Sequence, residues 1–453
     1  MSDRIRPADF GVSDYLGRTF DCSCGRRHGT VLESVQSGTG IAARLPALFE
    51  ARGWRRVFLV ADENTYAAAF QGAGAPPFPG LEVTRHIFPA DELIPDETAL
   101  GAVFAACPTD CDGILAVGSG VINDLCRFAA SRLGKPYAIL ATAPSMDGFA
   151  STVSPLIIGS LKTTYPAVSP VAILSDPAVL AAAPMPMIAA GFGDTLGKHT
   201  ALADWAVAHI VNGEYLCPSI VGMVRESLRR CTQGADGYPR RDPEAVGNLM
   251  DALVLTGVAM SFSGNSRPAS GAEHHISHYL EMQRLFAHER PDPHGVTVGI
   301  GTVISLKLYA MLAALSLDFG RAKRHGEAFD RAAWADDIRR CYGSAADGVL
   351  ALERSAGKNA AEGHARRLAA IEQNWGALRD VAAALPAPEE AERLLSALGA
   401  PTRPAQLGIE RGTIRDAIVY SKELRDRYVV TQLLWDLGLL EEYADRVVED
   451  LYA

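Results

Sequence analysis

Three imidazoles fall within five residues in the run Glu273-His274-His275-Ile276-Ser277-His278, and another follows at His294-Gly295. Upstream, Gly193-Asp194 adds a carboxylate beside a glycine. One carboxylate and two imidazoles drawn from these three fragments make a three-ligand set that leaves coordination positions for a substrate oxygen. His274 and His278 stand at i and i+4, so on a helix their rings share one face, about 40° apart in projection. A lone histidine is commonly structural, but this density within otherwise apolar surroundings favours a metal site. Zinc, nickel and iron all accept mixed nitrogen and oxygen ligands, and composition does not choose among them.

A second group of residues suits a nucleotide. Gly118-Ser119-Gly120-Val121-Ile122 follows an apolar run and precedes a helical pattern, where backbone N–H groups and a helix N-terminus can cradle a phosphate. The third glycine of the dinucleotide fingerprint is replaced by Asn123, so a plain strand-to-helix turn explains the segment equally well. Asp62, at the end of a strand-like run, suits either ribose hydroxyls or the N-cap of the next helix. Thr142, Ser145 and Ser151 cluster as short polar side chains around Pro144 and Gly148, and Asp147 stands where it can reach a substrate hydroxyl. A turn accounts for the proline and glycine, but not for so many small polar groups. A dinucleotide and a Lewis acid in one chain point to alcohol or carbonyl chemistry.

The elements that must position these groups are legible in the periodicity. Up to about residue 180, short apolar runs (56–61, 81–88, 112–117, 137–142) alternate with amphipathic ones (40–52, 64–70, 96–107, 121–133). That alternation predicts a parallel sheet covered by helices, with ligands beyond the carboxyl ends of the strands. From there on, Ala/Leu-rich stretches such as 187–210, 248–261 and 296–317 predict an all-helical remainder. Two domains are expected, 1–180 and 181–453, in keeping with a chain too long for one core.

A composition of 48 % apolar and 21 % charged residues describes a well-packed globular chain. The formal net charge of −10, with no Lys/Arg block, removes any general reason to bind nucleic acid. The N-terminal twenty residues have no apolar core of the secretory kind. The apolar stretch 296–317 contains Lys307 and reads as a buried helix rather than a membrane span. Eight scattered cysteines suit buried thiols in a reducing cytoplasm. Cys22-Ser23-Cys24 with His28 is their one cluster, and no second pair in the sequence completes a four-ligand set, so it is assigned no chemistry.

The segments PSMDGFAS, AGFGDTLGKH, SRPASGAEHHISHYLE and HGVTVGIGT, in this order, resemble the sn-glycerol-1-phosphate dehydrogenases of archaea and some bacteria. These belong to the iron-containing alcohol dehydrogenase and dehydroquinate synthase-like superfamily. RYVVTQLLWDLGLLEE is similar to the bacterial branch. The resemblance implies a Rossmann-like N-terminal domain and a helical C-terminal domain. It implies a metal on Asp194, His274 and His294, with His278, Asp147 and Asp194 facing substrate. It also implies nucleotide contacts from Asp62, the Gly118–Ile122 turn, Thr142, Ser145 and Ser151, and packing alone for His275. The implied reaction is the NAD(H)- or NADP(H)-linked reduction of dihydroxyacetone phosphate to sn-glycerol 1-phosphate, supplying lipid biosynthesis. The implied enzyme is a cytoplasmic homodimer holding zinc or nickel in preference to iron. Lys198, His199 and Arg267 are the phosphate candidates by position. A polyol dehydrogenase would share metal and cofactor without the phosphate, and a dehydroquinate-synthase-like lyase would lack the Lys/Arg-rich carboxylate site it needs.

Overall fold

The computed structural model describes residues 12–70, 78–90, 93–159 and 161–453. The first eleven residues and most of the Gly/Pro-rich loop 72–80 lie outside the described residues.

Ten strands are described: β1 (Thr19–Asp21), β2 (Arg27–Gly29), β3 (Ser34–Ser37), β4 (Arg56–Asp62), β5 (Glu82–Phe88), β6 (Gly113–Gly118), β7 (Tyr137–Ala141), β8 (Val153–Ile158), β9 (Leu161–Pro166) and β10 (Ala172–Ser175). Six form one parallel sheet in the order β3-β10-β7-β6-β4-β5, while β1/β2 and β8/β9 are antiparallel hairpins. β6 and β7 are buried along their whole length, so they read as continuous apolar runs rather than alternating ones. Leu59, Leu115, Val117, Leu140 and Leu174 join Phe49 and Trp54 in one core cluster, where the two aromatic rings stack at 5.2 Å.

The covering helices are α1 (Leu45–Ala51), α2 (Glu63–Phe70), α3 (Glu97–Ala106) and α4 (Gly120–Leu133). Asp96 caps α3 by accepting from the Ala99 N–H at 2.8 Å. From β4 the chain runs to β5 on one side and then returns to build β6, β7 and β10 on the other. The strand order therefore switches between β4 and β6, and the loops after Asp62 and Gly118 flank that switch point.

Helices then follow: α5 (Pro177–Ala182), α6 (Met185–Leu196), α7 (Lys198–Asn212), α8 (Pro218–Gln233), α9 (Pro243–Ser263), α10 (Ala272–Phe286) and α11 (His294–Ala313). Nine more, α12 to α20, lie among the described residues between Phe319 and Tyr452. The Ala/Leu-rich stretch 187–210 is shared between two helices, parted at Gly197. By packing, the described residues of Met1–Thr195 group with Pro218–Asn265, and Leu196–Cys217 groups with Ser266–Ala453. Thus α8 and α9 belong with the sheet although they follow it in sequence, because α9 packs on α5 and the 148–150 turn. α9 and α11 are long and apolar enough to cross a membrane, but 78 % of each apolar window is buried within the protein, as in core helices.

Candidate functional site

In the sheet-containing unit, the loop after β7 is held from below. Arg127 of α4 is fully buried and pairs with Asp124 at 2.9 Å. It donates to Tyr137 Oη at 3.1 Å and to the carbonyls of Val153, Phe149 and Gly148. Those carbonyls belong to the Asp147–Val153 segment, so a single guanidinium fixes the curve of the loop carrying Asp147. Sequence reading missed Arg127; its only local signal is a cation among the apolar residues of α4. Asn123 adds a 3.5 Å bond to the Gly148 carbonyl.

Of the nucleotide candidates, Gly118 ends β6, and Ser119 precedes α4 without a side-chain cap. The Ser119 hydroxyl bonds the Ala143 carbonyl at 3.1 Å and meets the Ser145 hydroxyl. The Thr142 N–H donates to the Gly118 carbonyl at 3.0 Å. Gly118, Ser119, Thr142 and Ser145 thus form one structure at the sheet's carboxyl edge, with Val121 and Ile122 in the first turn of α4. A Cβ on Gly118 would stand 2.8 Å from Ile122, so the tight turn requires glycine there. Asp62 Oδ1 accepts from the Thr65 N–H at 2.8 Å, capping α2. The Ser151 hydroxyl closes a local turn with Val153. Asp194, on α6, is wholly buried and accepts from the Asp147 N–H at 2.8 Å, which brings these two carboxylate residues together.

In the helical unit, α10 and α11 assemble the histidines. His274, His278 and Glu281 follow one another at i, i+4 and i+7 on α10, and His294 is the first residue of α11. The ring centroid of His294 lies 5.3 Å from His274 and 5.5 Å from His278. Gly301 lets the two helices meet, since a Cβ there would stand 2.3 Å from the Glu273 carbonyl. Arg284 braces the connecting loop through Glu289 and Asp292.

Each of two imidazoles is held by a buried carboxylate. His274 Nδ1 is 2.8 Å from Glu273 Oε1, and His294 Nδ1 is 2.7 Å from Glu281 Oε1. A carboxylate accepts, so Nδ1–H donates in both, and Nε2 is the lone-pair nitrogen on the opposite edge of each ring. Burial by itself pushes the Glu273 carboxyl up, but His274, Thr200 and the Gly271 N–H outweigh it and hold the group below its ordinary value. Ser277 links Glu281 to Thr297, which in turn donates to the His294 carbonyl. Neither Glu273 nor Glu281 was given a role from sequence. The signal was there in Glu281, a carboxylate seven residues after His274 on the same helical face. His275 is buried, and neither of its ring nitrogens has a hydrogen-bond partner among the described residues.

The phosphate candidates separate. Arg267 is engaged by Glu214 at 2.7 Å and by the Tyr428 carbonyl at 3.0 Å. Burial pushes His199 down to about 4, so its ring is neutral at pH 7 and offers an N–H rather than a charge. Lys198 is a buried ammonium at the start of α7. The His199 shift has a consequence for stability. The unfolded imidazole protonates near 6.5 and the folded one near 4, so the unfolded chain binds the extra proton between those values. Stability should fall by on the order of 3 kcal/mol as the pH drops through that window. His199→Gln should flatten the pH dependence of the denaturant midpoint, and an unchanged slope would discount the group.

Comparison with known proteins adds the family. Residues 36–184 match the family model described as iron-containing alcohol dehydrogenase. The chain is 33 % identical to the NAD(P)+-linked glycerol-1-phosphate dehydrogenase of Geobacillus stearothermophilus over 93 % of this chain and 96 % of that one. It is 31 % identical to the enzyme of the same name from Bacillus licheniformis, over 94 % and 95 %. Among solved structures, an alcohol dehydrogenase from Oenococcus oeni superposes with a TM-score of 0.61 at 14 % identity, covering 93 % of this chain and 98 % of that one. At that identity the likeness speaks to the fold.

Proposed function

The chain belongs to the NAD(P)+-linked glycerol-1-phosphate dehydrogenase family, and from that premise we propose that it interconverts dihydroxyacetone phosphate and sn-glycerol 1-phosphate. The observation that carries the reading is the pair of imidazoles, His274 and His294, each oriented through Nδ1 by a buried glutamate. Buried carboxylates that fix Nδ1–H leave Nε2 to a cation, which is the arrangement a ligating histidine requires.

Asp194, His274 and His294 would hold one divalent ion, nickel or zinc in preference to iron. Such an ion supplies Lewis acidity to a carbonyl oxygen, and a nicotinamide supplies the hydride. The chain's own residues do the rest. The Gly118–Ile122 turn offers backbone N–H groups and the positive end of α4 to the pyrophosphate. Thr142, Ser145 and Ser151 line the same sheet edge, and Asp62 faces the ribose with the oxygen that does not cap α2. Arg127 holds the loop on which Asp147 meets the substrate hydroxyl. His278, one turn along α10 from His274, exchanges a proton with the substrate oxygen, a role suited to an imidazole near neutral pH. Lys198 is the cation that meets the phosphate. The enzyme works as a cytoplasmic homodimer feeding lipid biosynthesis. No disulfide joins its eight cysteines among the described residues, which suits a reducing compartment.

The decisive experiment follows NADH and NADPH oxidation with dihydroxyacetone phosphate after chelation, restoring one metal at a time. Turnover of glycerol in preference to glycerol 1-phosphate would replace this reading with a polyol dehydrogenase. His278→Ala should keep its metal and lose about 10²–10⁴-fold in turnover, the usual worth of a general acid–base group. A normal rate in that variant removes His278 from the reaction.

A further inference from the structure

The hairpin of β1 and β2 is too small to persist alone, with three residue pairs in its ladder. Its turn carries Cys22 and Cys24, and His28 returns on β2 opposite Phe20. The turn is closed by the Cys22 N–H to Arg26 carbonyl bond at 3.0 Å and the Gly25 N–H to Cys22 carbonyl bond at 3.0 Å, with Gly25 at φ +82°. This fold-back turns three side chains of ligand type toward one point. The ligand atoms of Cys22, Cys24 and His28 lie within 4.8 Å of one another, and Cys24 Sγ is 3.3 Å from His28 Nε2. A tetrahedral zinc with Zn–S of about 2.3 Å and Zn–N of about 2.0 Å sets sulfur–nitrogen separations of roughly 3.5 Å.

His28 is oriented for ligation. It is 2 % exposed, and its Nδ1 lies 2.8 Å from the Phe262 carbonyl. A carbonyl only accepts, so Nδ1 carries the proton and Nε2, on the cysteine side, carries the lone pair. Phe20 and Phe262 pack edge-on and face-on against the ring, fixing its plane.

The fourth ligand comes from far along the chain. The Cys22 thiol donates to the Ser219 hydroxyl at 3.5 Å, on the first turn of α8. Cys217 precedes Ser219 by two residues and is fully buried. Two residues of backbone span at most about 7 Å, which keeps that thiol within reach of an ion shared with Cys22.

We propose that Cys22, Cys24, His28 and Cys217 hold a structural zinc ion, separate from the active-site metal, that staples the N-terminal hairpin to the start of α8. Three thiolates and one imidazole form a closed set with no position left for substrate, so the role is structural. Binding releases the thiol protons, and the metal's binding energy becomes folding energy for the hairpin.

Cobalt separates this site from the catalytic one. None of Asp194, His274 and His294 offers sulfur, so a thiolate-to-cobalt charge-transfer band in the cobalt-loaded full-length protein comes from cysteine ligands, and its dependence on Cys24 separates this site from the Cys107/Cys111 thiol pair. That band is expected in the wild type and in His274→Ala, and it should be lost in Cys24→Ser. Should Cys24→Ser fail to fold, a thiol-directed mercurial added to the wild type should release one zinc equivalent into a colorimetric chelator. Absence of the band in the wild type, or no zinc released by the mercurial, overturns the proposal. Iron found in place of zinc at the thiolates overturns the identity of the ion.

Discussion

His274→Ala should leave the purified protein without its catalytic divalent metal and reduce turnover beyond the roughly 100-fold that loss of a supporting carboxylate costs. The expectation rests on the ring's anchoring. His274 is 5 % exposed, and Glu273, itself bonded to Thr200 and the Gly271 N–H, fixes its Nδ1. Alanine removes the donor and leaves Glu273 buried without its imidazole partner. Glu273→Gln and Glu281→Gln should fall between, with metal affinity weakened about 10–100-fold while the ligands remain. Nucleotide affinity should be nearly unchanged in all three, because the residues proposed to bind it belong to the sheet-containing unit. Metal content by mass spectrometry and NADH binding by fluorescence check both halves. Full metal occupancy with normal turnover in His274→Ala would end the metal assignment.

Gly191→Ala is the second large expected effect, and it acts through the backbone. Gly191 sits on α6, three residues before Asp194, where an added Cβ would stand 1.8 Å from the Pro144 carbonyl oxygen. That atom is main chain and cannot rotate aside. The helix must move off the Thr142–Ser151 loop, which breaks the Asp147 N–H to Asp194 bond. A loss of roughly 3 kcal/mol or more is expected, at the upper end for overpacking a core. The same substitution at Gly101 is the control. Gly101 lies inside α3 with nothing within 4 Å of its Cβ position, so alanine should stabilise by about 0.5–1 kcal/mol. Denaturant unfolding of the two variants reads both signs, and wild-type stability in Gly191→Ala would show that the close approach is not there.

The main sheet strands β4, β6 and β7 were legible because each is a short apolar run between amphipathic stretches. β10 was not, since Ala172–Ser175 is four residues long and follows a proline. β8 contains Pro155 and pairs only with β9, so its hairpin has no periodic signal strong enough to separate it from a loop. The helix Gly120–Leu133 was legible from residue 121, but what Arg127 holds was not, because its partners at 148, 149 and 153 meet it only in the fold.

By itself, the sequence determined that His274 and His278 share one face of α10, because residue type and a 3.6-residue period are local properties. It also determined the alternating parallel-sheet architecture, since burial on both faces writes itself into the strand composition. Only the tertiary structure decided which ring nitrogen of His274 and of His294 carries the proton, because that depends on carboxylates brought to Nδ1 by packing. It alone withdrew Arg267 from the phosphate candidates by pairing it with Glu214. It alone gave Cys22 and Cys24 a ligand in His28 and led their hairpin to Ser219, close in sequence to a third cysteine. Contacts between distant segments are set by how the elements pack, and no local pattern records them.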